Sequence, residues 1–599
     1  MLEQKTFTVF VKDRDPLLNK LFHDDVVTTN ETNEIHVISS TVRDNPFPAV
    51  LVLNGGKTFG RTITNSGKQG RLLYQCVPDN PHLPIFLVPY DIKPDFSKVV
   101  KNKYVIVKFD HWHGSHPQGI LDAVLGNVDE YLPFSEYQLY CRNLIKLHDK
   151  AFAEFTKAAR QWKSKSDDEP WIRSHLANPA YKIADLTHID NIVSVDPSGC
   201  EDIDDAFSIM RLPDQMPEQK VKVSIYIANV PLWLSVLDLW QFIEGENRIT
   251  TVYLPDRKVP MLPTVLSEDL CSLKAGKLRY SFVMHATFKA KEDKGSEGTE
   301  GTEGTDSPRD LKGTFELESV TYENALINVK TNYAYEDKKL LKSADYILLK
   351  QIAASLDDAS DSHEVVATFM KFMNSHCAET LAKMNTGIFR NQKGSTLNSV
   401  EGGTLGPCST LNSAEGRTLG PCSTSRLSFG ETLSATGTFG PHRTLNSAEG
   451  GILSATYGTI NEGHAHLGLT HYTHITSPIR RIVDLINMRF MMNFDSIHPV
   501  KESAIEKINK MSKSAKKAQM DCELYSKVLG ADPETIYTGT IVDIDVDSLG
   551  RETYIVYLEE LKTYARTKEH LNTGSGYKIH LFDDEHSLRR KIRVECVEK

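Results

Sequence analysis

Residues 196–206 read DPSGCEDIDDA, four aspartates and one glutamate within eleven positions, set between apolar Ile192, Val193 and Val195 on one side and Ala206, Phe207 and Ile209 on the other. Both flanks have the composition of buried strands, so any fold of this chain must dispose of the charge between them. Carboxylates gathered away from water repel one another and raise each other's pKa unless a positive group stands among them. The stretch splays into solvent as an acidic loop, forms a calcium loop of another type, or holds a different metal; taken alone it leaves these readings open. In the last, Asp202, Asp204 and Asp205 follow a strand ending near Asp196, and Pro197, Ser198 and Gly199 form a turn that brings Asp196 back towards them. Hard oxygen donors around one point suit magnesium or manganese rather than zinc.

A second stretch, HITSPIRRIVDL (474–485), has the features of a helix start. Thr476 or Ser477 can cap free backbone N–H groups, Pro478 suits the first turn, and Ile482, Val483, Leu485 and Ile486 supply a buried face. This places Arg480 and Arg481 in the first turn, where positive charge opposes the helix dipole. An arginine fork beside free N–H groups makes a phosphate site; two solvated surface arginines are the plain alternative. Together the two stretches hold the parts that phosphodiester cleavage needs: carboxylates for a pair of metal ions and an arginine to neutralise the phosphoryl group.

The remaining sequence sets bounds. With 599 residues the chain has room for about three to five domains, and its 40% hydrophobic content is ordinary for globular protein. A formal charge of −10 gives no global sign of a nucleic-acid partner, which a local basic channel would have to attract. Nine scattered cysteines, never in a CxxC pair, argue against a disulfide framework or a structural zinc and for a reducing compartment. The N-terminus has no secretory or transit pattern, and no run approaches the roughly 20 apolar residues of a membrane span, so the expected location is cytoplasmic, with nuclear as the second choice.

Short apolar runs separated by turn residues, from EIHVISSTV to KYVIVKFDHW, predict a small barrel or sandwich in the first 130 residues. YQLYCRNLIKLHDKAFAEFTKAARQW reads as a helical connector. VKVSIYIANV and SFVMHATF are apolar enough to be strands buried on both faces, and HEVVATFMKFMNSHCAETLAKM carries helical periodicity. A Lys-rich helix follows over 500–530, and the last seventy residues predict a five-stranded OB-type barrel, a fold that commonly binds single strands. The acidic repeat GSEGTEGTEGTDSP and the stretch 394–456, where TLNSVEGGTLGPCS recurs as TLNSAEGRTLGPCS, have almost nothing to bury and are expected to be disordered insertions.

In combination these motifs resemble the ribonuclease II or RNB family, processive 3′ to 5′ exoribonucleases that include the catalytic subunit of the eukaryotic exosome. The residues that carry the resemblance are DLTHIDNIVSVDPSGCEDIDDAFSI (185–209), IYIANV (225–230), RITTVYLPDRKVPMLPTVLSEDLCSL (248–273), HEVVATFMKFMN (363–374) and HLGLTHYTHITSPIRRIVDL (466–485). KYVIVKFDHWHGSHPQGILDAVLG (103–126) resembles the second cold-shock barrel of the eukaryotic branch, and no second nuclease domain of the exosome-subunit type is expected before it. The resemblance implies an α+β multidomain chain: a partial cold-shock segment over 1–60, a cold-shock OB β-barrel over 61–150, a connector over 151–184, an RNB catalytic domain over 185–500 interrupted at 293–308 and 394–456, a helical connector over 501–530, and an S1-type OB β-barrel over 531–599.

By position, Asp196, Asp202, Asp204 and Asp205 are then the magnesium ligands, two ions with manganese as a substitute, and Asp204 is the least replaceable of them. Arg480 would meet the scissile phosphate, Tyr253 would stack on the 3′-terminal base, and Tyr335, Ser477 and Arg481 would contact RNA. The chain departs from the family pattern at Asn229, where an aspartate is usual, at Ile482, where an aromatic is usual, and at Ala367 and Thr368, which replace a pair of glutamates. The resulting expectation is a monomeric, magnesium-dependent exoribonuclease that releases 5′-nucleoside monophosphates from single-stranded RNA, with exosome-like or other RNA-decay partners left open. The alternative is a catalytically weak or inactive RNA-binding regulator of the same family.

Overall fold

The computed structural model describes residues 20–29, 35–63, 69–92, 100–147, 149–212, 220–244, 248–290, 315–357, 359–392, 455–492, 500–546, 550–569, 576–581 and 592–597. The acidic repeat lies outside these residues, as do the insertion 394–456 except for its last two positions and most of the basic RRKIR stretch at 589–593.

The N-terminal region begins with a hairpin of β1 (Val26–Thr29) and β2 (Ile35–Ser39), followed by the single-turn helix α1 (Thr41–Asp44). Strands β3 (Phe47–Leu51), β5 (Gln69–Pro78), β6 (Phe86–Pro89), β7 (Lys103–His111) and β8 (Gln118–Asn127) pair in the order β3–β7–β8–β6–β5, and β5 returns to β3, closing an OB-like barrel; β4 (Arg61–Ile63) is added on β5. This corrects the expected boundary at residue 60. Phe47–Leu51 hydrogen-bonds to both β5 and β7, and Ala49 and Leu51 bury in one core with Cys76, Phe86 and Val105, so the described N-terminal residues form one barrel and not a partial barrel ahead of a second.

Helix α2 (Tyr131–Cys141) leads out of the barrel to α3 (Lys150–Arg160) and α4 (Glu169–Ser174). The stretch 151–184, expected as a connector, is part of the next domain. Phe155, Ala159, Ile172 and Ile183 join its core, and β9 (Ile183–Asp185) pairs parallel with its sheet, because these residues carry the apolar face that covers the sheet edge. That sheet has seven strands in the order β17–β10–β11–β12–β15–β16–β9: β10 (Val193–Asp196), β11 (Asp205–Arg211), β12 (Lys220–Ala228), β15 (Leu278–Ala290), β16 (Phe315–Asn328) and β17 (Thr331–Ala334). Helices α5 (Val230–Val236) and α6 (Trp240–Glu244) and the hairpin of β13 (Val252–Tyr253) and β14 (Lys258–Val259) lie between β12 and β15. Seven of the nine residues of β12 are buried and Lys220 and Lys222 are half-buried, with apolar cores on both faces, as its near-continuous apolar run predicts.

Helices α7 (Lys338–Leu341), α8 (Ala344–Asp357) and α9 (Ser362–Lys383) follow the sheet, α9 over the predicted range, and then come β18 (Phe389–Asn391), β19 (Thr456–Gly458) and α10 (Ile482–Met492). The predicted Lys-rich helix is α11 (Glu502–Val528). The chain ends in β20 (Ile536–Val546), β21 (Glu552–Leu558), β22 (Thr563–Thr567), β23 (Gly576–Leu581) and β24 (Ile592–Val597), ordered β22–β21–β20–β23–β24. β20 serves two sheets along its length, and Thr567 Oγ1 donates to Val594 O at 3.3 Å, so the outer strands meet and the sheet curls into a second OB-like barrel. Among the described residues seven cysteines are free, and no helix is long and apolar enough to cross a membrane.

Candidate active site

The acidic run is folded back as its sequence predicts. β10 ends at Asp196, Cys200 N–H donates to Pro197 O across the turn, and Gly199 has φ +80°, a left-handed conformation that costs glycine little. β11 starts at Asp205, so Asp196 and Asp205 terminate neighbouring antiparallel strands and Asp202 and Asp204 lie on the loop between them. β17 pairs parallel with β10, with Ala334 opposite Asp196, which delivers the next residue, Tyr335, to the same end of the sheet. Its ring stacks on His363 with centroids 3.5 Å apart.

From the other side come Arg480 and its turn. Arg480 Nε stands 3.4 Å from Asp204 Oδ2, and the Ile479 N–H donates to Asp204 Oδ1 at 3.0 Å. Asp202 is held by Tyr253 OH at 3.1 Å and by Lys258 Nζ at 2.9 Å, and the same ammonium reaches Glu268 at 2.8 Å. The structure thus brings Asp196, Asp202, Asp204, Asp205, Arg480, Tyr253 and Tyr335 to one place.

Two of the predicted contacts are directed elsewhere. The helix begins at Ile482, not at Pro478, because the chain before it pairs with another strand: Thr251 N–H donates to Arg480 O, Ile482 N–H donates to Ile249 O, and Thr250 and Arg481 form a β-bridge. Arg480 and Arg481 therefore precede the helix, and neither Thr476 nor Ser477 caps it. Arg481 grips Asp484 through Nε at 2.9 Å and Nη2 at 3.0 Å, a bidentate pair on a fully buried carboxylate. Ser477 is buried; its N–H donates to Asp484 at 2.8 Å and its hydroxyl accepts from Arg480 Nη2 at 3.0 Å. Ser477 thus holds Arg480 directly, and Arg481 fixes the Asp484 carboxylate that holds the Ser477 backbone.

Several supporting residues carry no signal that sequence alone makes visible. Ser272, fully buried, donates to Glu201 O at 2.7 Å and accepts from the Ile203 N–H at 3.1 Å, and the Leu273 N–H donates to Ile203 O, so the backbone is clamped on either side of Asp202. Ser194 donates to Asp196 Oδ2 at 2.6 Å, and Asn332 donates to both Ser194 Oγ and Leu273 O, tying the two halves of the acidic site together. Asn374 of α9 accepts the Ile475 N–H at 2.9 Å, anchoring the arginine turn. Of the departures, Asn229 is explained by its surroundings: it caps α5 through Leu232 N–H and also donates to Asn324 Oδ1 at 3.0 Å, a bond that a carboxylate at this buried position could not donate. Thr368 is buried on α9 and Ala367 half-buried, and neither offers a carboxylate.

Electrostatically the site is short of positive charge. Desolvation, only partly opposed by the Ser194 hydroxyl, pushes Asp196 up to about 7. Desolvation likewise pushes Asp204 up to about 7 against the opposing pull of Arg480 and the Ile479 N–H. Asp205 lies well above the usual carboxylate range through desolvation and its neighbours Asp196 and Asp204, and its Oδ2 is buried with no partner. Among the described residues no group of three or more His, Cys, Asp or Glu side chains is arranged to hold a metal ion as it stands. The donor set still fits a hard divalent cation: it is all oxygen, it carries excess negative charge, and one of its oxygens lacks a partner.

The RNB domain model matches residues 183–342 and 309–494, together just over half of the chain. The chain belongs to the RNB family. It is 28% identical over 251 residues to the probable exosome complex exonuclease RRP44 of Caenorhabditis elegans, covering 41% of this chain and 22% of that protein. It is 24% identical over 450 residues to ribonuclease R of Chlamydia pneumoniae, covering 67% of this chain and 64% of that protein. This RNB protein thus spans less than two thirds of the length of either curated relative. Among solved structures, RNase R of Mycoplasma genitalium in complex with ribose methylated single-stranded RNA aligns with TM-score 0.59 over 94% of this chain and 92% of that one at 16% identity, a shared fold.

Proposed function

We propose that this RNB protein is a magnesium-dependent hydrolytic exoribonuclease that shortens single-stranded RNA from its 3′ end and releases 5′-nucleoside monophosphates. The observation that carries the reading is the meeting of Arg480 and the Ile479 N–H on Asp204, beside Asp196 and Asp205. A guanidinium aimed into a carboxylate cluster is what a phosphate diester in transit between them requires: the aspartates repel it, and Arg480 offsets its charge as it grows. Asp196, Asp202, Asp204 and Asp205 would hold the cations, which when bound supply a water of lowered pKa and neutralise the leaving oxygen. Tyr253, fixed through its hydroxyl on Asp202, offers its ring to the terminal base, and Tyr335, braced on His363, closes the other side. The two barrels are read as cold-shock-type and S1-type modules that admit an unpaired strand, and the chain as a monomeric catalyst in the cytoplasm.

A second reading, an RNA-binding regulator with little or no catalysis, draws on Ala367 and Thr368, which leave α9 without the paired glutamates of the family pattern. One assay separates the two. A 5′-labelled single-stranded RNA incubated with magnesium should give a ladder shortening from the 3′ end with wild type and none with Asp204→Asn. Binding without shortening in both would reject the enzyme and support the regulator.

A further inference from the structure

Behind the arginine turn lies a cluster that the proposed reaction does not use. Arg390 is directly paired with Tyr457 across β18 and β19, and its guanidinium carbon sits 4.7 Å from the Tyr457 ring centroid. Tyr457 OH lies 2.7 Å from Nδ1 of His474, three residues before Ser477. Asn509 of α11 bonds the Tyr457 backbone in both directions, and Lys516, two turns along α11, falls on the same face of that helix. Arg390 of β18 and His474 of the loop before α10 thus meet on one tyrosine, and the charge of Lys516 on α11 acts on His474.

Two of them are incomplete. Arg390 is 4% exposed, yet among the described residues it has no ion pair, and its Nε has no hydrogen-bond partner. His474 is 1% exposed, and its Nε2 is likewise without a partner. When the tyrosine hydroxyl donates to Nδ1, the other ring nitrogen carries the proton and becomes a free donor. Burial lowers the His474 pKa well below the ordinary value, and Arg481, Arg390, Lys516 and His464 act in the same direction, so the ring is neutral and its surroundings are positive. A buried guanidinium without a carboxylate is costly unless an anion completes it, and an arginine fork with a lysine and a ring N–H matches a tetrahedral oxyanion better than a planar carboxylate.

We propose that Arg390, His474 and Lys516 form a second phosphate site, separate from the Arg480 and aspartate centre, which takes a nucleotide phosphate. The source of that phosphate, released product or RNA strand, rests on the exoribonuclease reading; the binding itself does not. The test is a calorimetric titration of the full chain with inorganic phosphate in the absence of divalent metal. Saturable binding is expected, weakened about tenfold or more by Arg390→Met and by Lys516→Met, the loss of one charge-assisted hydrogen bond, and retained in Arg480→Met. Absence of saturable binding, wild-type affinity in both of the first two variants, or loss only in Arg480→Met overturns the proposal. Should Arg390→Met fail to fold, Lys516→Met on the half-exposed helix face carries the same test. Competition then assigns the source: displacement by adenosine 5′-monophosphate alone marks a product site, displacement by a short RNA marks a strand site, and displacement by neither overturns the assignment to nucleotide phosphate. Phosphate binding in a chain that does not shorten RNA would refute the nuclease reading and leave this site standing.

Discussion

Arg480 Nε stands 3.4 Å from Asp204 Oδ2 while Ile479, one residue before it, donates its backbone N–H to the other oxygen of the same carboxylate at 3.0 Å. The backbone bond fixes where Asp204 points, and the guanidinium supplies charge. Replacing Arg480 by Met should therefore leave Asp204 in place and remove the charge, lowering the single-turnover cleavage rate by about 10²–10³-fold. Equilibrium RNA affinity, measured on a strand that resists cleavage, should fall far less. An equal loss in both quantities would make Arg480 an anchor for the strand and not a stabiliser of the reacting phosphate.

The aspartates make stability depend on pH in an unusual direction. Asp196 and Asp204 are raised to about 7 from an ordinary value near 3.8. Folding therefore favours their protonated forms, so their contribution is fully present below about 4 and is lost as pH rises through about 7. In chelator the melting temperature should decline from pH 4 to 7 from this source, and magnesium added at neutral pH should restore it. Asp204→Asn should flatten the decline. A melting temperature indifferent to magnesium at neutral pH would argue against these carboxylates as its ligands.

Ser272 tests how far the acidic loop depends on its scaffold. Ser272→Ala deletes a hydroxyl that both donates to Glu201 O and accepts from Ile203 N–H in a fully buried position. It should cost about 1–3 kcal/mol in urea denaturation and lower the cleavage rate while RNA affinity stays near wild type. Unchanged cleavage at reduced stability would limit Ser272 to a structural role.

Tyr253 should separate into two functions. Tyr253→Phe keeps the ring and loses the hydroxyl bond to Asp202, whereas Tyr253→Ala should also weaken binding of a short RNA by about 1–3 kcal/mol, the usual worth of one stacked base. Equal affinities for the two variants in a fluorescence titration would mean that the ring does not meet a base.

The acidic run and the arginine turn are legible in sequence because each chemistry needs particular side chains close together along the chain, and the strand ends at Asp196 and Asp205 follow from apolar flanks. The start of α10 departs from the expected one because SPIRR satisfies every local rule for a helix start, and what overrides them is pairing with residues 249–251, more than 200 positions away and invisible to any local pattern. The same holds for Ser272, Asn332 and Lys258, ordinary residues whose role exists only through distant partners. The barrel boundary failed for a related reason: β3 looks like any short strand, and only its ladders with β5 and β7 show which body it joins.

Helix α11, 27 residues and so about 40 Å long, packs against the catalytic domain and both barrels among the described residues. Asn509 holds β19 of the catalytic domain; Ala515, Ala518, Cys522 and Tyr525 pack with Phe134 and Tyr137 of α2 and with Val252 and Leu254 on either side of Tyr253; and Asp521 is gripped by Arg142, just past the end of α2, and by Arg566 from β22. Leu524 and Val528 enter the core of the C-terminal barrel. An axle shared in this way leaves the barrels no independent swing. Heat should melt them together with the catalytic domain in a single calorimetric transition, because no barrel can unfold without stripping the apolar face of α11 that the other parts share.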